Sequence, residues 1–179
     1  MEQEIKITIN SVEQFNKFIN HFEQKPEPEV QTNTYLKNEY LTENKIALRI
    51  RDSNNELILT TKQKSKHVNG YFVCEETNTP IERVSVEEFI KNNGNENYKN
   101  LEVYAIIKTK RHHRDLNQFH LECDDVVVEH PQQISFCEIE CETTDPETCK
   151  EQLLQLFAQL EITDFEYSKT TKLGRAMNK

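Results

Sequence analysis

Alternation of apolar and polar residues dominates this chain. In MEQEIKITIN, Ile5, Ile7 and Ile9 fall on one side of an extended segment, with Glu2, Glu4 and Lys6 on the other, because successive side chains of a strand point to opposite faces. The same period of two predicts strands near 2–9, 33–41, 45–52, 56–64, 70–77, 101–111, 117–128 and 134–143. A helical period interrupts it three times. Ser11 reads as the N-cap of a helix over 12–23, with Val12, Phe15, Phe18, Ile19 and Phe22 on one stripe. Ser85 and Glu88 form a capping box ahead of a helix over 86–91. Asp145-Pro146 opens the longest helix, which carries Leu153, Leu154, Leu156, Phe157 and Leu160 on its buried side. KPEPE (25–29) and NNGNEN (92–97) read as loops, SNN (53–55) as a hairpin turn, and the final KLGRAMNK as a frayed tail from which Arg175 could reach inward.

Eight strands with few long connections predict an α+β fold, mainly antiparallel β, with a sheet that is strongly curved or closed and three helices interrupting the strands. The chain, 179 residues long, is expected to be a single domain over 1–179. Its charged fraction of 30% is high, but the periodic apolar runs argue against disorder. The net charge of −9 argues against general affinity for nucleic acid or an anionic membrane. No apolar stretch has transmembrane length and no targeting segment precedes the first strand. Five cysteines, an odd number without a C-x-x-C pair, read as small hydrophobes of a reducing cytoplasm.

The polar faces carry the chemistry. Arg49 and Arg51 share a face opposite Ile46, Leu48 and Ile50, and Lys62 and Lys64 share another. Glu138, Glu140 and Glu142 stand opposite Cys137, Ile139 and Cys141, and Glu122 and Asp124 opposite Leu121 and Cys123. Same-face neighbours lie roughly 7 Å apart. Two like charges at that distance repel by about 0.6 kcal/mol in water but about 2.4 kcal/mol at an effective dielectric near 20. A solvated surface tolerates such rows, whereas an enclosed row of carboxylates needs counter-ions. Rows sorted by sign and backed by apolar residues favour a functional interior, with Arg/Lys for phosphate and carboxylates for a hard cation.

These motifs resemble those of the CYTH, or triphosphate tunnel metalloenzyme, superfamily. The first is Glu2-Gln3-Glu4-Ile5-Lys6; QTNTYLKNEYLTENKIALRIR leads into Arg49 and Arg51, and LTTKQK supplies Lys62 and Lys64. TKR offers Arg111, LECDD offers Asp124, CEIE offers Glu138 and Glu140, and YSKTTK offers Lys169, with Lys172 as the second choice. A departure is VVVEHPQQISF, where the family often has a Gly-containing turn, and after Gly70 either Glu75 or Glu76 faces inward. The resemblance implies an eight-stranded closed β-tunnel with a polar interior and helices packed outside, holding a divalent metal, Mg²⁺ or Mn²⁺, on Glu2, Glu4, Asp124, Glu138 and Glu140. It implies phosphate binding by Arg49, Arg51, Lys62, Lys64, Arg111 and Lys169, and catalytic roles for Glu4 and Lys6.

The expected partner is a small-molecule triphosphate, the expected location the cytoplasm, and the oligomeric state is open between monomer and homodimer. Three functions compete: triphosphate hydrolysis, cyclisation of ATP to cyclic AMP as in class IV adenylate cyclases, and non-catalytic polyphosphate or nucleotide binding. The cyclases often carry a His-Phe pair shortly before E-x-E-x-K, which this sequence lacks. Without Trp, and with Ala47 beside Arg49, an organic cation such as thiamine has no evident stacking partner. Inorganic triphosphate is therefore favoured over thiamine triphosphate. His112-His113 reads as a basic strand end, and Glu142 as either a third metal-facing acid or a solvent-facing strand end.

Overall fold

The computed structural model describes residues 2–54, 56–68 and 71–177, and of Glu2, Gln3, Ser65, His67, Val68, Tyr71 and Phe72 the backbone alone. Among the described residues, nine strands and five α-helices follow one another along the chain: β1 (Glu2–Ile9), α1 (Val12–His21), β2 (Glu29–Lys37), α2 (Glu39–Glu43), β3 (Ala47–Ser53), β4 (Glu56–Val68), β5 (Tyr71–Ile81), α3 (Val86–Asn92), β6 (Glu102–Leu116), β7 (Phe119–His130), β8 (Ile134–Glu142), α4 (Pro146–Gln159), β9 (Phe165–Tyr167) and α5 (Lys172–Ala176). The strands form one antiparallel sheet in the order β5-β4-β3-β2-β6-β7-β8-β1-β9. The sheet curls until β1 also meets β5, pairing Glu2 with Cys74, Gln3 with Val73 and Glu4 with Phe72. Eight strands thus ring a tunnel, and β9 lengthens the wall beside Ile7–Ile9 of β1.

The alternation is resolved as expected. Ile5, Ile7 and Ile9 turn outward and pack with Phe15 and Phe18 of α1 and Leu153 and Phe157 of α4 in the largest core cluster. Each such fully buried side chain contributes roughly 1.5–3 kcal/mol. Ser11 caps α1 by accepting from the Gln14 N–H, Ser85 and Glu88 complete their capping box, and Asp145 caps α4 by accepting from the Thr148 N–H. All five cysteines are buried, and Cys123, Cys137, Cys141 and Cys149 lie in the same core as small apolar groups. No helix among the described residues is long and apolar enough to cross a membrane.

Several segments differ from the sequence reading, while the SNN turn holds. The second strand runs over Glu29–Lys37 rather than 33–41, because Asn38 caps α2 by accepting from the Leu41 N–H and so ends the extended run. The loop over 92–97 contains the start of a 3-10 turn, Glu96–Tyr98. In the expected SNN turn, Ser53 still pairs with Glu56, Asn54 has φ +48°, and Asn55 lies outside the described residues, as does Gly70. Most consequential, the tail is not frayed. Thr171 caps α5, Ala176 packs on Ile107, Val126 and Val128 of the inner wall, and Arg175 lies 4.8 Å over the Phe136 ring. A Cβ on Gly174 would meet Thr170 Oγ1 at 2.0 Å, so a side chain there would force the Thr170 side chain just ahead of α5 to shift.

Candidate functional site

Strand register converts separate charged rows into one site. Thr8 stands opposite Glu138, Glu138 opposite Asp124, and Asp124 opposite Arg111. One step along, Lys6 stands opposite Glu140 and Glu140 opposite Glu122. All of these point inward. The ring encloses a cavity of about 870 Å³, lined among others by Glu4, Lys6, Arg49, Arg51, Lys62, Arg111, Glu140 and Lys172.

Acids and bases are already paired on the β1/β7/β8 side. Arg111 grips Asp124 with two hydrogen bonds of 2.9 and 2.8 Å, reaches Glu140 at 3.2 Å, and pairs with Glu122. Lys6 bridges Glu4, at 2.8 Å, and Glu140. The Lys172 ammonium sits 3.0, 2.9 and 2.8 Å from Asp124, Glu138 and Glu140. Ser168 donates to Glu138 at 2.9 Å and contacts Thr8 at 2.7 Å, while Arg175 donates to Thr8 at 2.6 Å. Desolvation makes buried ion pairs poor sources of stability compared with apolar packing. A cluster of this size inside a small domain therefore points to function.

Burial opposes charge throughout, and the partners decide each outcome. Burial would lower the Lys6 and Lys172 pKa values, but Glu140 and Glu4 hold Lys6, and Glu138, Glu140 and Asp124 hold Lys172, well above the usual lysine range. Burial would raise Glu140, yet Lys172, Lys6 and Arg111 hold it far below the usual carboxylate range. For Glu138 burial wins and the pKa is raised, against Lys172.

The opposite wall is different. Arg49 and Arg51 come from β3, where Tyr35 and Asn33 of β2 stand opposite them. Arg51 donates to Asn33 at 3.1 Å, and no carboxylate among the described residues lies within ion-pair distance of it. Burial, and then the neighbouring Arg49 and Arg111, lower its pKa. Arg49 reaches Thr60 at 3.2 Å and Glu76 only at 4.0 Å, leaving its Nε buried without an acceptor. Thr109 Oγ1, also on the cavity wall, is likewise unpartnered. Two under-neutralised guanidiniums on one wall have the donor chemistry that suits an anion.

Several expectations are settled by these positions. Glu76 faces the cavity and pairs with Lys62, whereas Glu75 pairs with Lys64 outside. Lys64 leaves the inner face because β4 changes register between Gln63 and Lys66 and Lys64 takes φ +54°, which breaks the alternation. Lys169 is exposed, and Lys172, delivered by α5, takes the inner position instead. Glu142 lines the cavity. Glu2 holds its backbone register opposite Cys74, but its side chain is outside the described residues. The expectation that the arginine strand lacks an aromatic neighbour does not hold, since Tyr35 lies directly across from Arg49 and lines the cavity. It lies on the neighbouring strand, so pairing register rather than chain order brings it there. Thr109 was legible as the inward alternate before Arg111. His120 was likewise legible as the alternate before Glu122 and Asp124, whereas Gln31, Asn33 and Ser168 had no signal beyond polarity.

Among the described residues, no three His, Cys, Asp or Glu side chains are arranged as ready-made metal ligands. The carboxylates nevertheless converge on a cation, because the Lys172 ammonium stands where Asp124, Glu138 and Glu140 meet. An all-oxygen donor set of this kind suits Mg²⁺ or Mn²⁺. The residues present therefore fit a hard divalent ion, with Glu4 alongside.

A closed antiparallel tunnel with facing acidic and basic inner walls defines a class, the triphosphate-tunnel fold. The profile of the CYTH domain matches residues 1–173, and the chain belongs to the CYTH family. Solved structures share the fold. The Hippeastrum adenylyl cyclase candidate HpAC1, in which triphosphatase activity dominates, superposes with a TM-score of 0.81 at 22% identity, covering 99% of this chain and 96% of that one. A candidate adenylate cyclase from Bacillus halodurans gives 0.69 at 22% identity over 98% of both chains. A conserved Pyrococcus furiosus protein gives 0.63 at 27% identity, over 97% and 98%. No curated protein matches the chain significantly.

Proposed function

We propose that this protein is a divalent-metal-dependent triphosphatase that hydrolyses a triphosphate, inorganic triphosphate first, inside its tunnel. The observation that carries the reading is the pairing of two walls. Arg49 and Arg51 have idle donors, and they face a carboxylate cluster arranged around a cation. Arg49, Arg51 and Lys62 would hold phosphoryl oxygens, and Arg111 would neutralise charge that develops as a P–O bond breaks. Asp124, Glu138, Glu140 and Glu4, with Glu2, would hold the metal. When bound, such an ion supplies further charge for the phosphoryl oxygens and an acidified water. Glu4 would accept the proton from the attacking water, and Lys6, 2.8 Å away, would hold Glu4 in place. Lys64 and Lys169, being exposed, are left without a role in phosphate binding.

Tyr35 bears on the choice of substrate. It packs on the cluster of Ile107, Val126, Val128 and Ala176 at the α5 end and meets Tyr104 edge-on, so part of its ring is already engaged although it also lines the cavity. This supports inorganic triphosphate over an organic cation that needs a stacking platform, although the cavity volume accommodates a small organic triphosphate as well. The family resemblance of HpAC1, with its dominant triphosphatase activity, supports hydrolysis over cyclisation. The test is phosphate release from inorganic triphosphate, thiamine triphosphate and ATP with Mg²⁺ and with Mn²⁺, with cyclic AMP measured alongside. Turnover of inorganic triphosphate is expected. Cyclic AMP without phosphate release would replace the reading with the cyclase, and no turnover at all would leave a binding module.

A further inference from the structure

One polar group of the inner wall belongs to neither charged cluster. Thr109 of β6 is 2% exposed and lines the cavity two residues before Arg111, on the same face of the strand. It stands opposite Gln31 of β2 and Val126 of β7. Among the described residues, the buried side-chain atoms without a hydrogen-bond partner are Arg49 Nε, Glu76 Oε2, Thr109 Oγ1 and Glu138 Oε1. The two carboxylates have ammonium groups beside them, those of Lys62 and Lys172, and the Arg49 guanidinium still donates to Thr60 through another nitrogen. The Thr109 hydroxyl has no such substitute.

Packing gives no reason for that oxygen. A buried hydroxyl without a partner carries its desolvation cost uncompensated, and valine has the same β-branched shape without it. The inner-face neighbours Ile107 and Val126 are apolar members of one cluster. The amides of β2 are spent elsewhere: Gln31 is hydrogen-bonded to Glu29, and Asn33 accepts from Arg51 at 3.1 Å and donates to the Ile107 carbonyl at 3.4 Å. Two guanidiniums from different strands converge over this neutral floor. Arg51 reaches it through Asn33, and Arg111 lies one inward step along β6 from Thr109. Burial, then the charges of Arg49 and Arg111, lower the Arg51 pKa, which places Arg111 within electrostatic reach of Arg51.

We propose that Thr109 is a substrate-binding residue, its hydroxyl donating to a phosphoryl oxygen of the triphosphate held between Arg51 and Arg111. The assignment rests on the triphosphatase reading. A hydroxyl can donate or accept, and its surroundings decide which. Guanidiniums only donate, so the ligand they draw between them is an anion rich in acceptors. A cationic side chain at this position would be drawn toward Asp124 and Glu140, as Arg111 is. The neutral hydroxyl stays unspent until the anion arrives, and it then adds a directed hydrogen bond that orients the phosphoryl group without adding charge. The desolvation cost carried by the empty tunnel is relieved in the complex.

The test compares Thr109→Val and Thr109→Ser with the wild-type chain, by steady-state hydrolysis of inorganic triphosphate with Mg²⁺ and by the Tm of the free protein. Thr109→Val keeps the shape and removes the hydroxyl. It should melt at or above the wild-type temperature, because an unpartnered buried group is gone. Its kcat/KM should fall about 10- to 100-fold, the worth of a hydrogen bond to a charged group, with the loss in KM rather than kcat. Thr109→Ser keeps the hydroxyl and loses a methyl group, so it should melt lower yet keep the wild-type KM. A merely structural role would move stability and KM together, whereas these two variants move them in opposite senses. Wild-type kcat/KM in Thr109→Val, or a rise in KM that Thr109→Ser shares, overturns the assignment and leaves the triphosphatase reading standing. A wild-type chain that releases no phosphate from inorganic triphosphate overturns both.

Discussion

The Lys172 ammonium lies 2.8 Å from the Glu140 carboxylate, although one belongs to a short C-terminal helix and the other to the middle of a β-strand. The contact is the keystone of the interior, because the same ammonium also serves Asp124 and Glu138, neither of which has measurable exposure. Lys172→Ala leaves those carboxylates without their counter-ion. Removing one partner of a buried pair costs about 3–5 kcal/mol, and a loss of that size is expected in chemical denaturation. Excess Mg²⁺ should restore much of it by binding the native state, seen as a larger Mg²⁺-induced rise in Tm than the wild type shows. If Mg²⁺ leaves the Tm of the variant unchanged, the carboxylates do not form a cation site.

Arg51 makes no ion pair among the described residues, so its removal should cost little stability and much activity. Arg51→Ala is expected to lower kcat on inorganic triphosphate by roughly 10²–10³, the range for losing one donor that stabilises transition-state charge. Glu4→Gln should lose activity in the same way while staying folded. Wild-type rates in either variant would mean that the inner faces are structural.

Glu76 gives a pH signature. Burial raises its pKa, but Lys62 outweighs burial and brings it from 4.5 to about 2. A depressed carboxylate pKa contributes stability above its unfolded value, and that contribution is lost as pH falls through the folded value. The stability gap between wild type and Glu76→Gln should therefore be constant above about pH 5 and shrink between 4.5 and about 2. Denaturation midpoints of both proteins at several pH values measure it, and a pH-independent gap would refute the pairing.

Arg114 separates stability from chemistry. It is buried and donates to the Ile19 carbonyl near the end of α1 at 2.8 Å and to the His113 carbonyl at 2.7 Å, tying the helix to β6. Charge-assisted bonds of this type contribute about 1.5–3 kcal/mol. Arg114→Ala should lose at least that much in urea denaturation with KM for triphosphate unchanged, since Arg114 is not on the cavity wall.

Which residues face inward on β1, β3 and β8 was legible from the chain, because a strand's two faces alternate with period two whatever surrounds them. Glu4, Lys6, Arg49, Arg51, Glu138 and Glu140 all point inward as that period requires. The same rule failed at Lys64, where a local register shift and a left-handed residue cancel the period. It was also blind to Tyr35, which reaches Arg49 across a strand pair rather than along a strand.

What the sequence determined by itself was therefore the strand-rich α+β class, the caps of α1, α3 and α4 and the sign of each charged face, all of which follow from local periodicity and capping chemistry. What only the tertiary structure decided was which charges meet. Strand register set Lys6 against Glu140 and Arg111 against Asp124, and the docking of α5 chose Lys172 over Lys169. Those choices depend on contacts between segments distant in the chain. Their energies come from burial and Coulomb attraction that exist only once the tunnel has closed.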